Sequence, residues 1–334
     1  MTSRVRPFGV LGFATGSTYR VTLAVVDVVA LSESGGARRD GLAALVRRAE
    51  AADGHPPLPE PQRLALTRDG EAAHRVRAVL AERAGALAGC ALLTPSRDGS
   101  VVLHVVTDPD EPDRAGLASR LVGAAVEAAT RSGRVPTLHL WAMRAGPADD
   151  DLARRHGFAP ERDLLQMRVP LPLAPEVVRA TRPIVTRPFR PGKDDEDWLD
   201  VNNRAFAGHP EQGSWTLIQL HERLAADWVD LDGFLVADDP DGDGLVGSCW
   251  TKIHRDHTPV LGEIYVIAVD PAHHGGGLGR ALTVAGLEFM AGRGVGVGML
   301  YTDATNEGAV ALYRALGFTV DHVDRSYRRD TSVS

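Results

Sequence analysis

The sequence predicts an α/β protein built from two tandem domains of one pattern. Two observations carry that expectation. First, four landmarks recur in order at an offset of about 160 residues: Leu87-Ala88-Gly89 and Leu245-Val246-Gly247, Asp108-Pro109 and Asp270-Pro271, Gly116-Leu117 and Gly277-Leu278, Gly157-Phe158 and Gly317-Phe318. Second, the apolar runs of the second half alternate between strand and helix periodicity. The 334-residue length also exceeds that of one ordinary domain, roughly 100–200 residues.

The elements follow in order. Residues 1–38 are expected to form an N-terminal extension without fixed structure, and residues 39–173 the first domain. Val169–Pro191 holds six prolines, Pro170, Pro172, Pro175, Pro183, Pro188 and Pro191, a density that no continuous helix or central strand tolerates. The linker is therefore set at 174–183, and the second domain at 184–330, starting with a strand near Ile184–Phe189. Asp195–Phe206 and Trp215–Trp228 carry apolar residues at helical spacing around the polar loop 207–214. Gly233–Ala237 and Gly244–His254 alternate as a strand pair about a turn of Asp, Pro and Gly, and Gly262–Val269 is a further strand interrupted by Glu263 and Tyr265. A glycine turn at Gly275–Gly279 leads into a helix to Arg293, then a strand Gly298–Thr302, a helix Glu307–Leu316 and a last strand Thr319–Tyr327. The order is β-α-α-β-β-β-α-β-α-β.

Composition excludes several function classes. With 44% hydrophobic and 24% charged residues there is apolar surface for two cores, and disorder is not expected. A net charge of −7 supplies no basic stripe for a phosphate backbone, so nucleic acid is not an expected partner. Cys90 and Cys249 lie inside separate apolar runs, which reads as buried thiols in a reduced, cytoplasmic protein. No apolar stretch reaches the 18 residues of a membrane span; Val21–Leu31 after Arg4 and Arg6 is interrupted by Asp27 and lacks a cleavage pattern. His254, His257, His273 and His274 have no recognised ligand spacing, so they read as loop histidines and no metal is expected.

The strand–glycine turn–helix unit at Val266–Ala281 predicts an anion site, because a helix N-terminus presents unpaired N–H groups and the positive end of the dipole. Neither Gly-Lys-Ser/Thr nor the dinucleotide Gly-x-Gly-x-x-Gly pattern with its distal acid is present, which disfavours ATP and NAD. His274-x-x-Gly277-x-Gly279 after Asp270-Pro271, followed by Asn306, Ala309, Tyr313 and Leu316-Gly317-Phe318, resembles the two signatures of the GNAT superfamily of N-acetyltransferases.

That resemblance implies two tandem GNAT-type domains, each a mixed, mostly antiparallel sheet flanked by helices, with acetyl-CoA as cosubstrate. By resemblance the main chain of Ile267, Ala268 and Val269 would face the thioester, and His274, Gly275, Gly276, Gly277, Leu278, Gly279 and Arg280 would hold the pyrophosphate. Asn306, Glu307, Gly308, Ala309, Val310 and Ala311 would line the pantetheine arm. Glu263 is the candidate general base, since an α-amino group is mostly protonated at neutral pH and apolar neighbours tend to raise a carboxyl pKa. Tyr313 takes the position from which the family protonates the leaving thiolate.

The blocks 201–213, Trp250-Thr251-Lys252 and Leu261–Val266 are similar to those of one tandem branch of that superfamily. That branch acetylates the cysteinyl amine of cysteinyl-glucosaminyl-inositol, and the likeness implies Glu60, Glu211, Lys252, Glu263 and Tyr301 as acceptor-binding residues in a monomer. Bland alternatives stay open at this stage: Glu263 as a solvated edge carboxylate, Tyr313 as a core aromatic, Glu60 as a first-turn carboxylate. So do a transferase for another small amine or an aminoglycoside, and a non-catalytic acyl-CoA sensor.

In the first copy Val101 stands opposite Glu263, Ala153 opposite Tyr313 and Gly146 opposite Asn306, while Asp113 opens the turn that should hold phosphate. The first domain is expected to be structural, flanking the substrate. In the second, Gly275-Gly276 replace a pair the family often fills with basic residues, leaving Arg280 as the expected cation.

Overall fold

The computed structural model describes residues 24–30, 35–67, 76–96, 98–131, 137–207, 213–242, 244–255 and 257–331. These form two compact units, residues 1–140 with 329–334 and residues 141–328.

The first unit contains β1 (Ala24–Ala30), α1 (Gly35–Asp53), α2 (Glu60–Thr67), β2 (Arg77–Arg83), β3 (Ala86–Pro95), β4 (Val101–Thr107), α3 (Arg114–Arg131) and the start of β5 (Thr137–Ala142). Strands β1 to β4 pair antiparallel in sequence order. Positive φ at Ala84 and Gly85 (51° and 80°) closes the two-residue β2–β3 hairpin, the geometry that matches strand twist. Leu42, Leu45, Leu58, Leu80 and Leu92 are buried in its core. Strand β1 and the first turn of α1 fall inside the stretch expected to be an unstructured extension. The correction has a plain cause: Ala24–Ala30 supplies a ladder to the open side of β2, a long-range pairing that local composition does not reveal.

The second unit contains α4 (Pro147–Arg155), β6 (Ala159–Pro170), α5 (Pro175–Arg179), β7 (Arg187–Pro188), α6 (Asp195–Ala205), α7 (Leu217–Leu224), β8 (Phe234–Asp238), β9 (Leu245–His254), β10 (Leu261–Val269), α8 (Leu278–Gly292), β11 (Val297–Asp303), α9 (Glu307–Ala315) and β12 (Thr319–Asp330). Its strands run β12-β6-β11-β10-β9-β8-β7. Every neighbouring pair is antiparallel except β10 with β11, a mixed, mostly antiparallel sheet.

The unit boundary differs from the repeat boundary. β6, the last strand of the first copy, pairs with β11 and β12 of the second, so residues 141–173 belong to the second unit rather than the first. In the proline-rich stretch β6 stops at Pro170, Pro175 opens the five-residue α5, and the expected strand shrinks to Arg187–Pro188, because each proline removes a ladder donor. Helix α7 is shorter than its apolar spacing suggests. Thr216 and Gln219 form a capping box that fixes its start.

Three of the four landmarks have one physical explanation each, repeated in both copies. The Asp108 and Asp270 amides donate to Ala88 and Val246 carbonyls at 2.8 and 2.9 Å. Their carboxylates accept from the amides two residues on at 3.0 and 2.9 Å, pinning the turn after the strand. A Cβ on Gly89 would lie 2.9 Å from Leu121, and one on Gly247 2.8 Å from Leu282, so glycine is what lets α3 and α8 approach the sheet. Gly157 and Gly317 take φ of 73° and 95°, ending α4 and α9 in the left-handed conformation. Buried Phe158 and Phe318 then return their amides to Ala153 and Tyr313.

Two apolar clusters hold the second unit. One gathers α8 and α9 residues against β9 to β11, including Leu282, Leu287, Met290 and Tyr313. The other is aromatic, with Phe189, Trp198, Phe234 and Trp250 fully buried. Trp250 and Phe234 stack at 4.2 Å, and Phe234 and Phe189 at 4.3 Å. Each such side chain contributes about 1.5–3 kcal/mol by burial and sets the position of α6 against β9 and β10.

Candidate functional site

The site begins where β10 parts from β11. Their parallel ladder is three residues long, Leu261 to Glu263 against Val297 to Met299. β9 continues beside β10 as far as Val269. Beyond Glu263 the β11 edge of β10 has no strand paired to it among the described residues, and unpaired backbone along an edge is available to a partner. The β9–β10 register shifts between Ile264 and Val266, a bulge at Tyr265. Ile264 packs in the α8 cluster, but Val266 and Ala268 pack in the aromatic one, so the bulge reverses which face alternate side chains occupy.

Glu263 lies on the aromatic side of the sheet, at the last paired position. Its Oε2 is 2.7 Å from Nε2 of His254, and the two side chains are only 13% and 17% exposed. That excludes the solvated-edge reading of Glu263 and corrects the loop reading of His254, which ends β9. Lys252, directly opposite Glu263 in the ladder, is buried, its Nζ 4.7 Å from the Trp228 ring and 5.6 Å from that of Tyr265. Such cation–π contacts are worth about 1–2 kcal/mol. Lys252 thus shares a face with Glu263 and is held by aromatic rings.

Tyr301, on β11, accepts from Gln166 Nε2 at 2.7 Å, and Gln166 accepts from Arg168 at 2.8 Å. Although Tyr301 is 38% exposed, burial of its hydroxyl and the negative charges of Asp324 and Glu263 push it up to about 12. Tyr301 therefore senses Glu263 electrostatically. Tyr313, on α9, is 7% exposed and packs on Phe318 at 5.7 Å. Burial, with a smaller contribution from Cys249, pushes its phenol up to about 12. It stays protonated through neutral pH, the state a proton donor requires.

The glycine turn before α8 takes the left-handed backbone that its glycines permit. Gly275 and Gly277 have φ of 81° and 76°, and Gly277 is the N-cap of α8, with no side chain capping that end. The N–H groups of the first turn are left to a ligand. The corresponding turn of the first copy is closed: the Gly116 amide donates to the Asp113 carboxylate at 2.9 Å, and a Cβ on Gly116 would overlap that carboxylate. Asp113 is the internal anion of α3.

Other positions depart from the expected roles. The Arg280 guanidinium donates to the Thr181 hydroxyl at 3.0 Å and to the Val177 carbonyl, so it is engaged by α5 and the residues just after it. Arg182 comes to the loop instead, donating to the Gly276 carbonyl at 2.8 Å. His274 Nε2 lies 3.1 Å from the Val269 carbonyl. Asn306 caps α9, accepting from the Ala309 amide at 3.1 Å, and Gly146 occupies the same place before α4. Glu307 to Ala311 form the first turns of α9. Glu60 begins α2 in the first unit, a first-turn position that complements the dipole. Glu211 lies outside the described residues. Sequence reasoning missed His254, Gln166 and Arg182, each joined to the site only by tertiary pairing.

Among the described residues no three His, Cys, Asp or Glu side chains group as metal ligands, and no helix is long and apolar enough to cross a membrane. Cys90 and Cys249 are both buried and free.

Residues 196–318, which hold the strand that parts from its parallel neighbour and the glycine turn that follows it, match the Acetyltransferase (GNAT) family. Over its whole fold the chain is similar to the tandem GNAT protein from the clavulanic acid biosynthesis pathway, with a TM-score of 0.68, 17% identity, and coverage of 94% of this chain and 100% of that one. It is 40% identical over 297 residues to a mycothiol acetyltransferase of Kocuria rhizophila, covering 86% of this chain and 95% of that protein. It is 42% identical over 299 residues to one of Thermobispora bispora, covering 87% and 96%. The chain belongs to the mycothiol acetyltransferase family and is an N-acetyltransferase.

Proposed function

We propose that the chain transfers the acetyl group of acetyl-CoA to the cysteinyl amine of cysteinyl-glucosaminyl-inositol, forming mycothiol, and that the second unit carries the chemistry. The carrying observation is Glu263, enclosed with His254 where β10 leaves β11, in a chain that aligns along almost the full length of its curated relatives.

The amine must lose a proton before its lone pair can attack the thioester carbon. Glu263 accepts that proton, through a water, while the Nε2 of His254 at 2.7 Å holds one carboxylate oxygen and leaves the other for the incoming proton. As the C–N bond forms, charge develops on the thioester oxygen, and main-chain N–H groups of Ile267–Val269 along the open edge of β10 stabilise it. The C–S bond then breaks as Tyr313 gives its phenolic proton to the departing sulfur; the nitrogen sheds its second proton on becoming an amide, and that proton, passed through solvent, restores the Tyr313 phenol, while the proton on Glu263 leaves to solvent. The α8 N-terminus at His274–Arg280 binds the coenzyme pyrophosphate through backbone N–H groups. Asn306 to Ala311 flank the pantetheine arm. Glu211, Lys252 and Tyr301 contact the acceptor, a polyol that requires several polar partners.

The Asp113 carboxylate at α3 and Val101 at the position that corresponds to Glu263 support a structural role for the first unit. Mass spectrometry of products from purified protein, acetyl-CoA and the cysteinyl-glucosaminyl-inositol acceptor tests the reading. An adduct of one acetyl group on the cysteinyl nitrogen is expected, and an unmodified acceptor beside intact acetyl-CoA would refute it.

A further inference from the structure

We infer that Arg182, outside the segment 196–318 that matches the family, is the cation that binds the coenzyme pyrophosphate. The inference rests on the coenzyme site proposed above and deepens it. A pyrophosphate diester carries two negative charges, and backbone N–H groups offer it only partial positive charge. The loop itself provides glycine at 275 and 276. The first cation of the following helix, Arg280, is turned away, its guanidinium held by Thr181 and Val177.

Arg182 stands one residue past Thr181 and reaches the opposite way. Its Nη1 donates to the Gly276 carbonyl at 2.8 Å, and its Cδ lies 3.7 Å from where a Cβ on Gly277 would be. The side chain is thus laid along the loop at both glycines whose neighbours open the helix. A Cβ on Gly276 would lie 3.5 Å from Nη1, ordinary van der Waals contact, so the guanidinium lies close against the loop. A guanidinium engaged through one nitrogen keeps further donors in its planar fork, which suits phosphate oxygens. The arrangement is mutual: Thr181 fixes Arg280, and that contact anchors the segment from which Arg182 projects.

The test is calorimetric binding of coenzyme A to the full chain, for wild type, Arg182→Ala and Arg182→Lys, at two ionic strengths. Arg182→Ala is expected to weaken Kd by about tenfold, the size of one charge-assisted phosphate contact, and to flatten its salt dependence. Arg182→Lys should recover part of the affinity and most of the salt slope. Thermal melting of all three checks that folding is intact. An unchanged Kd, or a weaker Kd whose salt slope matches wild type, would overturn the inference. Because the readout is binding, a wild type that binds coenzyme A yet acetylates nothing would sink the proposed function and leave Arg182 standing, whereas a wild type that does not bind coenzyme A sinks both.

Discussion

Replacing Glu263 by glutamine isolates the base, since the side chain keeps its shape and its amide can still meet His254 Nε2 at the 2.7 Å separation seen for the carboxylate. The proton acceptor alone is lost. General base catalysis is worth about 10²–10⁴-fold, and the enclosure of this pair, at 13% and 17% exposure, removes the bulk water that would otherwise substitute. Turnover of Glu263→Gln at pH 7 is therefore expected to fall at least about 100-fold. An α-amino group with pKa near 7.7–8.0 is only about a tenth to a sixth deprotonated at pH 7 and more than about nine-tenths at pH 9. The variant should accordingly regain roughly six- to tenfold in kcat/KM for the acceptor over that range, because the amine then arrives already deprotonated. The assay is initial rate by thiol release from acetyl-CoA between pH 6.5 and 9.5. A variant that kept more than about a third of wild-type turnover at pH 7 would contradict the base assignment.

Three further outcomes are expected. Tyr313→Phe should lower kcat about 100-fold with little loss of stability, as the ring and its contact with Phe318 remain; comparable loss in Tm and kcat would make the tyrosine a packing residue only. His104 is 2% exposed, neither ring nitrogen has a hydrogen-bond partner, and burial lowers its pKa from 6.5 to about 4. The unfolded chain then binds the extra proton between those values, so its contribution is whole above about pH 6.5 and is lost as pH falls toward 4, up to about 3 kcal/mol; urea midpoints of wild type and His104→Leu across that range should diverge in slope. Gly286→Ala places a methyl over the Cys249 thiol and 2.9 Å from Ile264, so despite better helix propensity it should cost about 1–2 kcal/mol, and an equal or higher Tm would contradict the close approach of α8 to β9 and β10.

Much of this architecture is legible in the sequence because its signals are local. Gly277, an αL N-cap, marks the start of α8; Asn306 marks α9; Gly317 ends it; and Glu263 interrupts an apolar run. Each is a residue doing a job its own neighbourhood specifies. What escaped depends on contacts between distant segments. β6 belongs by sequence to the first copy but pairs with β11 and β12, and β1 is recognisable only through its ladder to β2. The Tyr265 bulge leaves the apolar alternation of β10 readable while reversing its faces. His254 reads as one histidine among several until the β9–β10 register brings it to Glu263. Arg280 and Arg182 carry the same charge at the sequence level, and only the path of the chain after α5 takes the Arg280 guanidinium to Thr181 and that of Arg182 to Gly276.

The measurement closest to the central claim is a crystal structure of the full chain with a non-hydrolysable acetyl-CoA analogue. The account predicts the thioester mimic in the gap between β10 and β11, its sulfur position within about 3.5 Å of the Tyr313 hydroxyl and its acyl carbon facing Glu263 directly or across one water. An analogue seated instead against α3 of the first unit, or one in the second unit with Tyr313 and Glu263 both turned from the acyl group, would contradict it.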